Sequence, residues 1–230
     1  MSLYIGAKFG KNGSVDGMVC ASDRLRQIKN GNLYSRVDSD KLFYAPAVCV
    51  SLMSNLPVYV SDYVRERTKQ MVEEFDNTKD ADNFMVKFMG TLTTSNALIK
   101  TDEKDGVLPP LEWKYGMLGF VGLHVNGNYE MYVEFGDPVL VRELEESGKV
   151  TMKKIGSIFS FPDVEGSIVS LGGKSIMTPK IQGGADDAIA SVTQNARNYL
   201  AMYPENYSGL EVALVTKDRA ERVAYEPISA

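Results

Sequence analysis

A single histidine and two cysteines are all that the 230-residue chain offers of the residue types that most often carry catalysis or metal binding. With His124 alone, a multi-histidine zinc site is excluded, and a Ser-His-Asp or Cys-His relay would depend on that one residue. His124 stands among Val121, Leu123 and Val125 and reads as a strand residue. Cys20 and Cys49 each lie in a short apolar run, are too few for a disulfide framework, and read as buried reduced thiols. No apolar run approaches the roughly 18 residues of a membrane span. The first residues, Met1 to Lys8, lack a basic segment followed by an apolar one, so the expected compartment is the cytoplasm. Basic residues are also not concentrated anywhere. Twenty-five Lys and Arg against thirty Asp and Glu give a net charge of -5 without a dense cationic block, so nucleic acid is not an expected partner.

What the chain does have is the composition of a soluble globular protein. Hydrophobic residues make up 44% and charged residues 24%, enough apolar matter for a sizeable core. No linker, repeat or low-complexity stretch divides it, so residues 1-230 are expected to form one domain.

The apolar periodicity changes along the chain. Leu3 to Phe9, a turn at Gly10-Lys11-Asn12-Gly13, and Met18 to Ala21 predict an N-terminal β-hairpin. A polar stretch from Ser22 to Asp40, with a turn at Lys29-Asn30-Gly31-Asn32, precedes short strands at Leu42 to Tyr44 and Ala47 to Leu52. Leu56, Val60, Tyr63, Val64, Met71, Val72 and Phe75 then recur at helical spacing, after Ser54 and Asn55 as caps and Pro57 in the first turn. Ala81, Phe84, Met85, Phe88, Met89 and Leu92 mark a second helix. Met117 to Val125 and Tyr129 to Phe135 form another hairpin, Asp137 to Lys154 reads as irregular, and Ser167 to Leu171 reads as a strand. A helix from Ala185 to Tyr203, stopped by Pro204, precedes closing strands at Leu210 to Thr216 and Arg222 to Tyr225. Strands, paired helices, strands, helix and strands predict an α+β fold of antiparallel sheets covered by helices, without the strict βαβ alternation of a Rossmann or barrel fold.

Gly172-Gly173-Lys174-Ser175 lacks the earlier glycine of a phosphate loop, since Ile168 occupies that position, and reads as an ordinary loop entering a helix. Asn12-Gly13-Ser14 and Asn206-Tyr207-Ser208 match glycosylation sequons but carry no meaning without a secretion signal.

A constellation spread over the chain is more informative. Ser2 follows the initiator methionine, Ile5-Gly6 lies in the first strand, Ala21-Ser22-Asp23-Arg24 ends the second, and Asp40-Lys41-Leu42-Phe43 enters the next. In these residues and in element order over essentially its full length, the sequence resembles the proteasome-type N-terminal nucleophile hydrolases, among them proteasome β-subunits, bacterial HslV and the Anbu group. The resemblance implies a four-layer α/β/β/α sandwich with two antiparallel sheets. It places Ser2 on the nucleophile, Asp23 on the acid that orients the lysine, and Lys41 on the catalytic lysine. Glu205 and Ser208, ahead of Leu210-Glu211-Val212-Ala213, fall on the family's supporting acid and serine. It also implies a peptide or unfolded-protein substrate, a ring or helical homo-oligomer, a possible ATP-dependent unfoldase partner, and no cofactor or metal.

Elementary chemistry is consistent with these assignments. A hydroxyl on the first residue of a processed chain has its own α-amine, reference pKa about 7.7 to 8.0, as base, so no histidine is needed. A cationic Lys41 favours the ionised nucleophile and the neutral amine, and a buried Asp23 holds that ammonium. Met1 must then be removed, because an acylated Ser2 nitrogen is no base. Threonine is the commoner nucleophile of the family, and Ser51-Leu52 stand where a glycine commonly lines the oxyanion site, so Leu52 is expected to narrow the substrate groove. Two further readings stay open: an inactive assembly subunit of the same fold, and an amide hydrolase for small acyl compounds. Replacement of Lys41 by alanine is expected to abolish turnover and leave the thermal midpoint nearly unchanged. Val58, Tyr59, Tyr63 and Val72 form a second apolar line beside Leu56, Val60, Val64 and Met71, and this excess points to a subunit contact along the helix.

Overall fold

The computed structural model describes residues 3-11, 14-30, 33-54, 58-75, 81-106, 117-125, 128-135, 153-155, 158-161, 168-171, 181, 183-205 and 208-228; for 117-171 it describes the backbone only. Met1, Ser2, the Gly172 to Ser175 loop, the turns at 12-13 and 126-127, and the caps and first turn proposed at Asn55 to Pro57 lie outside them.

The first hairpin consists of β1 (Tyr4–Lys11) and β2 (Ser14–Asp23). The stretch expected to be merely polar forms a second hairpin, β3 (Leu25–Asn30) and β4 (Leu33–Asp38), a two-stranded sheet of its own. Gln27 and Ser35 to Asp38 are exposed, so these strands lack the apolar face by which a strand is recognised in sequence. β5 (Leu42–Ala45) and β6 (Val48–Ser54) follow, joined at Pro46-Ala47. There Ala47 takes φ 67 in the left-handed region, and its N–H donates to the Thr216 carbonyl at 2.8 Å.

The helices α1 (Val58–Glu73) and α2 (Ala81–Lys104) come next, α2 running a full 24 residues, beyond the stripe read to Leu92. Then come β7 (Met117–Val125), β8 (Asn128–Phe135), β9 (Lys153–Ile155), β10 (Ile158–Phe161) and β11 (Ile168–Leu171). β9 and β10 fall at and just after the end of the segment read as irregular; at three and four residues they are too short for a periodic pattern. The helix α3 (Ala185–Met202) and strands β12 (Leu210–Thr216) and β13 (Ala220–Glu226) complete the order.

Five strands form one antiparallel sheet, β11-β1-β2-β12-β13, and six form another, β5-β6-β7-β8-β10-β9. Alternation sorts the side chains of each. Leu3, just before β1, with Ile5, Ala7 and Phe9 of β1, Val19 and Ala21 of β2, and Leu210, Val212 and Leu214 of β12 pack under Ala188, Val192, Ala196 and Tyr199, which form one stripe of α3. Val48, Val50 and Leu52 of β6 pack on Val64, Met71 and Val72 of α1 and Phe84 and Phe88 of α2. The Phe84 ring meets Phe75 edge-on at 5.4 Å and stacks on Phe88 at 6.3 Å. Strand β2 lies against β5 and β8, and β12 against β5, so the sheets approach one another away from the helices. Cys20 and Cys49 are free, buried thiols, as expected; Cys20 accepts the Tyr4 hydroxyl at 3.2 Å, and its hydrogen bond, with burial, pushes the Cys49 thiol pKa up.

Candidate functional site

The end of β2, the start of β1 and the segment entering β5 converge on one buried ion pair. Asp23 is fully buried and Lys41 is 5% exposed, and the Lys41 Nζ donates to Asp23 Oδ2 at 2.7 Å. The other carboxylate oxygen, Oδ1, accepts the Leu3 N–H at 2.7 Å. In return the Asp23 N–H donates to the Leu3 carbonyl at 3.4 Å, and the Ser22 hydroxyl reaches the same carbonyl at 3.0 Å. Leu3 is thus gripped through both backbone polar groups, one residue beyond Ser2. Lys41 is held from its own backbone too, since its carbonyl accepts the Leu52 N–H at 3.0 Å.

Burial sets the electrostatics. It raises the Asp23 pKa, opposed by the Lys41 charge and hydrogen bond and by Leu3 N–H; it lowers that of Lys41, opposed by Asp23 and reinforced by Arg65 and Arg26. A desolvated ammonium beside a desolvated carboxylate is a strong local field at the base of the first strand, where proton affinities of neighbouring groups are most easily shifted.

Around this pair lies a larger charge network that sequence reasoning missed. Arg24 Nε binds Asp38 at 2.7 Å, while its Nη1 binds Asp40 at 2.8 Å and Glu211 at 2.9 Å. The guanidinium also lies 4.7 Å over the Tyr225 ring. Glu211, on β12, accepts the Tyr44 hydroxyl at 3.3 Å and stands 3.9 Å from Arg222. Burial raises the Glu211 pKa against the pull of Arg24; burial and Glu211 together push the Tyr44 hydroxyl up to about 12, which keeps it a donor. The three carboxylates outweigh burial at Arg24 and raise its pKa, so it stays charged. The signal for this network was a glutamate inside the otherwise apolar Leu210-Val215 run and an arginine directly after Asp23, since charges at buried positions are found paired.

Of the expected site residues, Asp23 and Lys41 are brought together. Ser208 is buried, and its carbonyl accepts the Arg24 N–H at 3.1 Å, which joins it to the same cluster by backbone. Glu205 is exposed in the turn after α3. Ser2 lies outside the described residues. The expectation for Leu52 is corrected: it belongs to the helix-covered core with Val48 and Val50, so it points away from any groove at the site. Its neighbour Ser51 takes the opposite face, with its hydroxyl buried and no hydrogen-bond partner among the described residues. Among the described residues no cluster of His, Cys, Asp and Glu is arranged to hold a metal.

No protein-family profile and no curated protein sequence matches the chain. Solved structures do. Over 96% of this chain and 86% of the other, it superposes with a TM-score of 0.61 and 12% identity on the helical assembly of the Anbu complex from Pseudomonas aeruginosa. Anbu, the ancestral beta-subunit, from Yersinia bercovieri gives 0.56 at 12% identity over 96% and 87%. A Gly-1 mutant of Anbu from a Hyphomicrobium species gives 0.58 at 9% identity over 100% and 89%. The fold is therefore of the proteasome-like class. Within that class the chain is similar to these Anbu structures, at an identity too low to carry activity across.

Proposed function

We propose that the chain is an N-terminal nucleophile peptidase, a single proteasome-like domain over residues 1-230 in a four-layer α/β/β/α sandwich. The observation that supports it most is the Lys41–Asp23 pair, buried at 2.7 Å and tied through Leu3 to the residue that follows Ser2. In this mechanism the Ser2 hydroxyl attacks the scissile carbonyl, its proton passes to the Ser2 amine, and that amine returns it to the leaving group. The Lys41 ammonium stabilises the alkoxide as it forms, and Asp23 fixes the ammonium. Water then hydrolyses the acyl-serine, assisted by the same amine. Ser208 and Glu205 are assigned supporting roles, Ser208 through the Arg24 backbone. The substrate is a peptide or unfolded segment, an ATP-dependent unfoldase is the partner such an enzyme would need for folded proteins, and the working compartment is the cytoplasm. The mechanism calls for no cofactor.

Homo-oligomeric assembly belongs to the same proposal. A similar structure is described as a helical assembly, and Val58, Tyr59 and Tyr63 on α1 are 38%, 47% and 37% exposed. That exposed stripe also favours a second reading, an inactive assembly subunit in which the Asp23–Lys41 pair is only structural. N-terminal sequencing of native protein, together with turnover of a fluorogenic peptide, separates the two. A chain starting at Ser2 that cleaves the peptide is expected; native protein retaining Met1 overturns the peptidase mechanism.

A further inference from the structure

Arg24 and Asp40 are the sequence neighbours of Asp23 and Lys41, and they form a second rung across the same gap. The main chain adds another, because the Ser39 N–H donates to the Arg24 carbonyl at 3.0 Å, and Leu25 pairs with Asp38 where the β3-β4 hairpin begins. The neck of that hairpin is therefore cross-tied at consecutive positions, with Asp23–Lys41 as its innermost rung. Arg24 reaches beyond the neck, its Nη1 continuing to Glu211 on β12, and Asp38 does so more weakly, its Oδ2 accepting the Tyr225 hydroxyl of β13 at 3.3 Å. A two-stranded hairpin is marginally stable by itself, so the alignment of its neck must come from such ties. The ties are made at two separate nitrogens, Nε to Asp38 and Nη1 to Asp40 and Glu211, a spread that the planar fork of a guanidinium supplies and the single nitrogen of a lysine does not.

We propose that Arg24 is the positioning residue of the site: by binding Asp38, Asp40 and Glu211 at once, it locks the neck of the hairpin to β12 and so holds Lys41 at the point from which its ammonium meets Asp23. This deepens the peptidase reading and rests on it for its consequence in catalysis, although the positioning itself is a statement about Lys41. Arg24 touches no reacting atom; it acts through the backbone on either side of the pair.

Three variants test it. The double variant Arg24→Gln with Glu211→Gln removes the fork and its buried counter-charge together, so no uncompensated ion is left inside. Arg24→Lys retains the charge without the fork. Asp40→Asn cuts one tie at a side chain that is 63% exposed and leaves the core untouched. The first measurement is the rate of reductive methylation of Lys41 by formaldehyde and cyanoborohydride in the native protein, read by peptide mass and normalised to the exposed Lys69. The second is kcat and KM for a fluorogenic peptide.

The folded double variant is expected to label Lys41 several-fold faster and to lose about 100-fold in kcat with KM little changed, the scale on which small misplacements act. Arg24→Lys should fall between it and the parent in both. Unchanged labelling in the folded double variant overturns the proposal, and so does faster labelling at parental kcat. If the double variant does not fold, the labelling rate of Asp40→Asn decides in the same way: faster supports, unchanged overturns. A parent that cleaves no peptide sinks the peptidase reading, while the labelling rates still decide the role of Arg24.

Discussion

Leu3 and Asp23 are joined twice, by the Leu3 N–H to Asp23 Oδ1 at 2.7 Å and by the Asp23 N–H to the Leu3 carbonyl at 3.4 Å. The carboxyl that grips Lys41 therefore also holds Leu3 at the entry to the first strand, so the strand entry and the ammonium are set by one group. In a fully buried side chain each carboxylate oxygen needs its partner, because a lost hydrogen bond there is not replaced by water. Substitutions at this pair consequently act on stability as well as on chemistry.

Lys41→Ala illustrates the consequence and corrects the expectation drawn from sequence. Both partners are buried, so removing the ammonium leaves an uncompensated carboxyl at Asp23. Breaking a buried pair costs about 3 to 5 kcal/mol. At about 2 to 4 °C per kcal/mol for a chain of this size, the midpoint should fall by roughly 6 to 20 °C. The double variant Asp23→Asn with Lys41→Met, which leaves no orphan charge, should recover much of that loss while peptide turnover remains absent. Equal midpoints for Lys41→Ala and the parent in calorimetry would show that the pair is far better solvated than its geometry implies.

Activity should follow a bell in pH. The rising limb reports the Ser2 amine, which must lose its proton to act as base and whose reference pKa is about 7.7 to 8.0. The falling limb reports Lys41, which must keep its proton. Burial lowers its pKa below the ordinary 10.5, so the decline should begin before that pH is reached. A rate still rising beyond pH 10.5, in protein shown by circular dichroism to be folded, is incompatible with a required Lys41 charge.

Asp38 gives a pH signature in stability. Burial acts to raise its pKa, but the Arg24 hydrogen bond and charge, with the Tyr225 hydroxyl, outweigh it, so the folded value lies below 3.8. A carboxyl depressed on folding stabilises at pH values above its unfolded pKa, and that contribution is lost as pH falls through the folded value. Asp38→Asn should therefore lower the midpoint at neutral pH, and the gap from the parent should close as melts are taken below pH 3.8. A gap independent of pH would assign the loss to packing instead of charge.

How much of this was legible in the sequence follows from which signals are local. The helices and most strands were readable because each buries one stripe or face: the Ala188, Val192, Ala196 line of α3 is visible as spacing alone. The β3-β4 hairpin was read only as a turn, since Gln27 and Ser35 to Asp38 face water and leave no alternation. At the site, Asp23 and Lys41 came from resemblance, and the structure adds their contact. For Arg24 and Glu211 the sequence marks two charges at positions fit for burial, but not that they meet, because spacing does not say which of thirty carboxylates pairs with an arginine 187 residues away.

The apolar line beside the buried face of α1 divides in the structure. Val72 joins the core with Val60, Val64 and Met71, while Val58, Tyr59 and Tyr63 stay exposed, and Leu56 lies outside the described residues. What remains is an exposed apolar patch on the first turns of α1. Arg26 lies beside it, bonded to Asp62 at 2.6 Å and to the Val58 carbonyl at 3.3 Å, which brings the β3-β4 hairpin to the same edge. Burying two tyrosines and a valine against a second copy would contribute several kcal/mol of apolar transfer, enough to matter in a repeated contact. Light scattering coupled to size exclusion should find the parent as a multimer at micromolar concentration, and the Tyr59→Glu, Tyr63→Glu double variant as a smaller species that circular dichroism shows to be folded, with a midpoint lowered by the loss of the contact. A parent that elutes as a stable 25.4 kDa monomer would remove both the contact and the compartment that a peptidase of this fold needs to spare its neighbours.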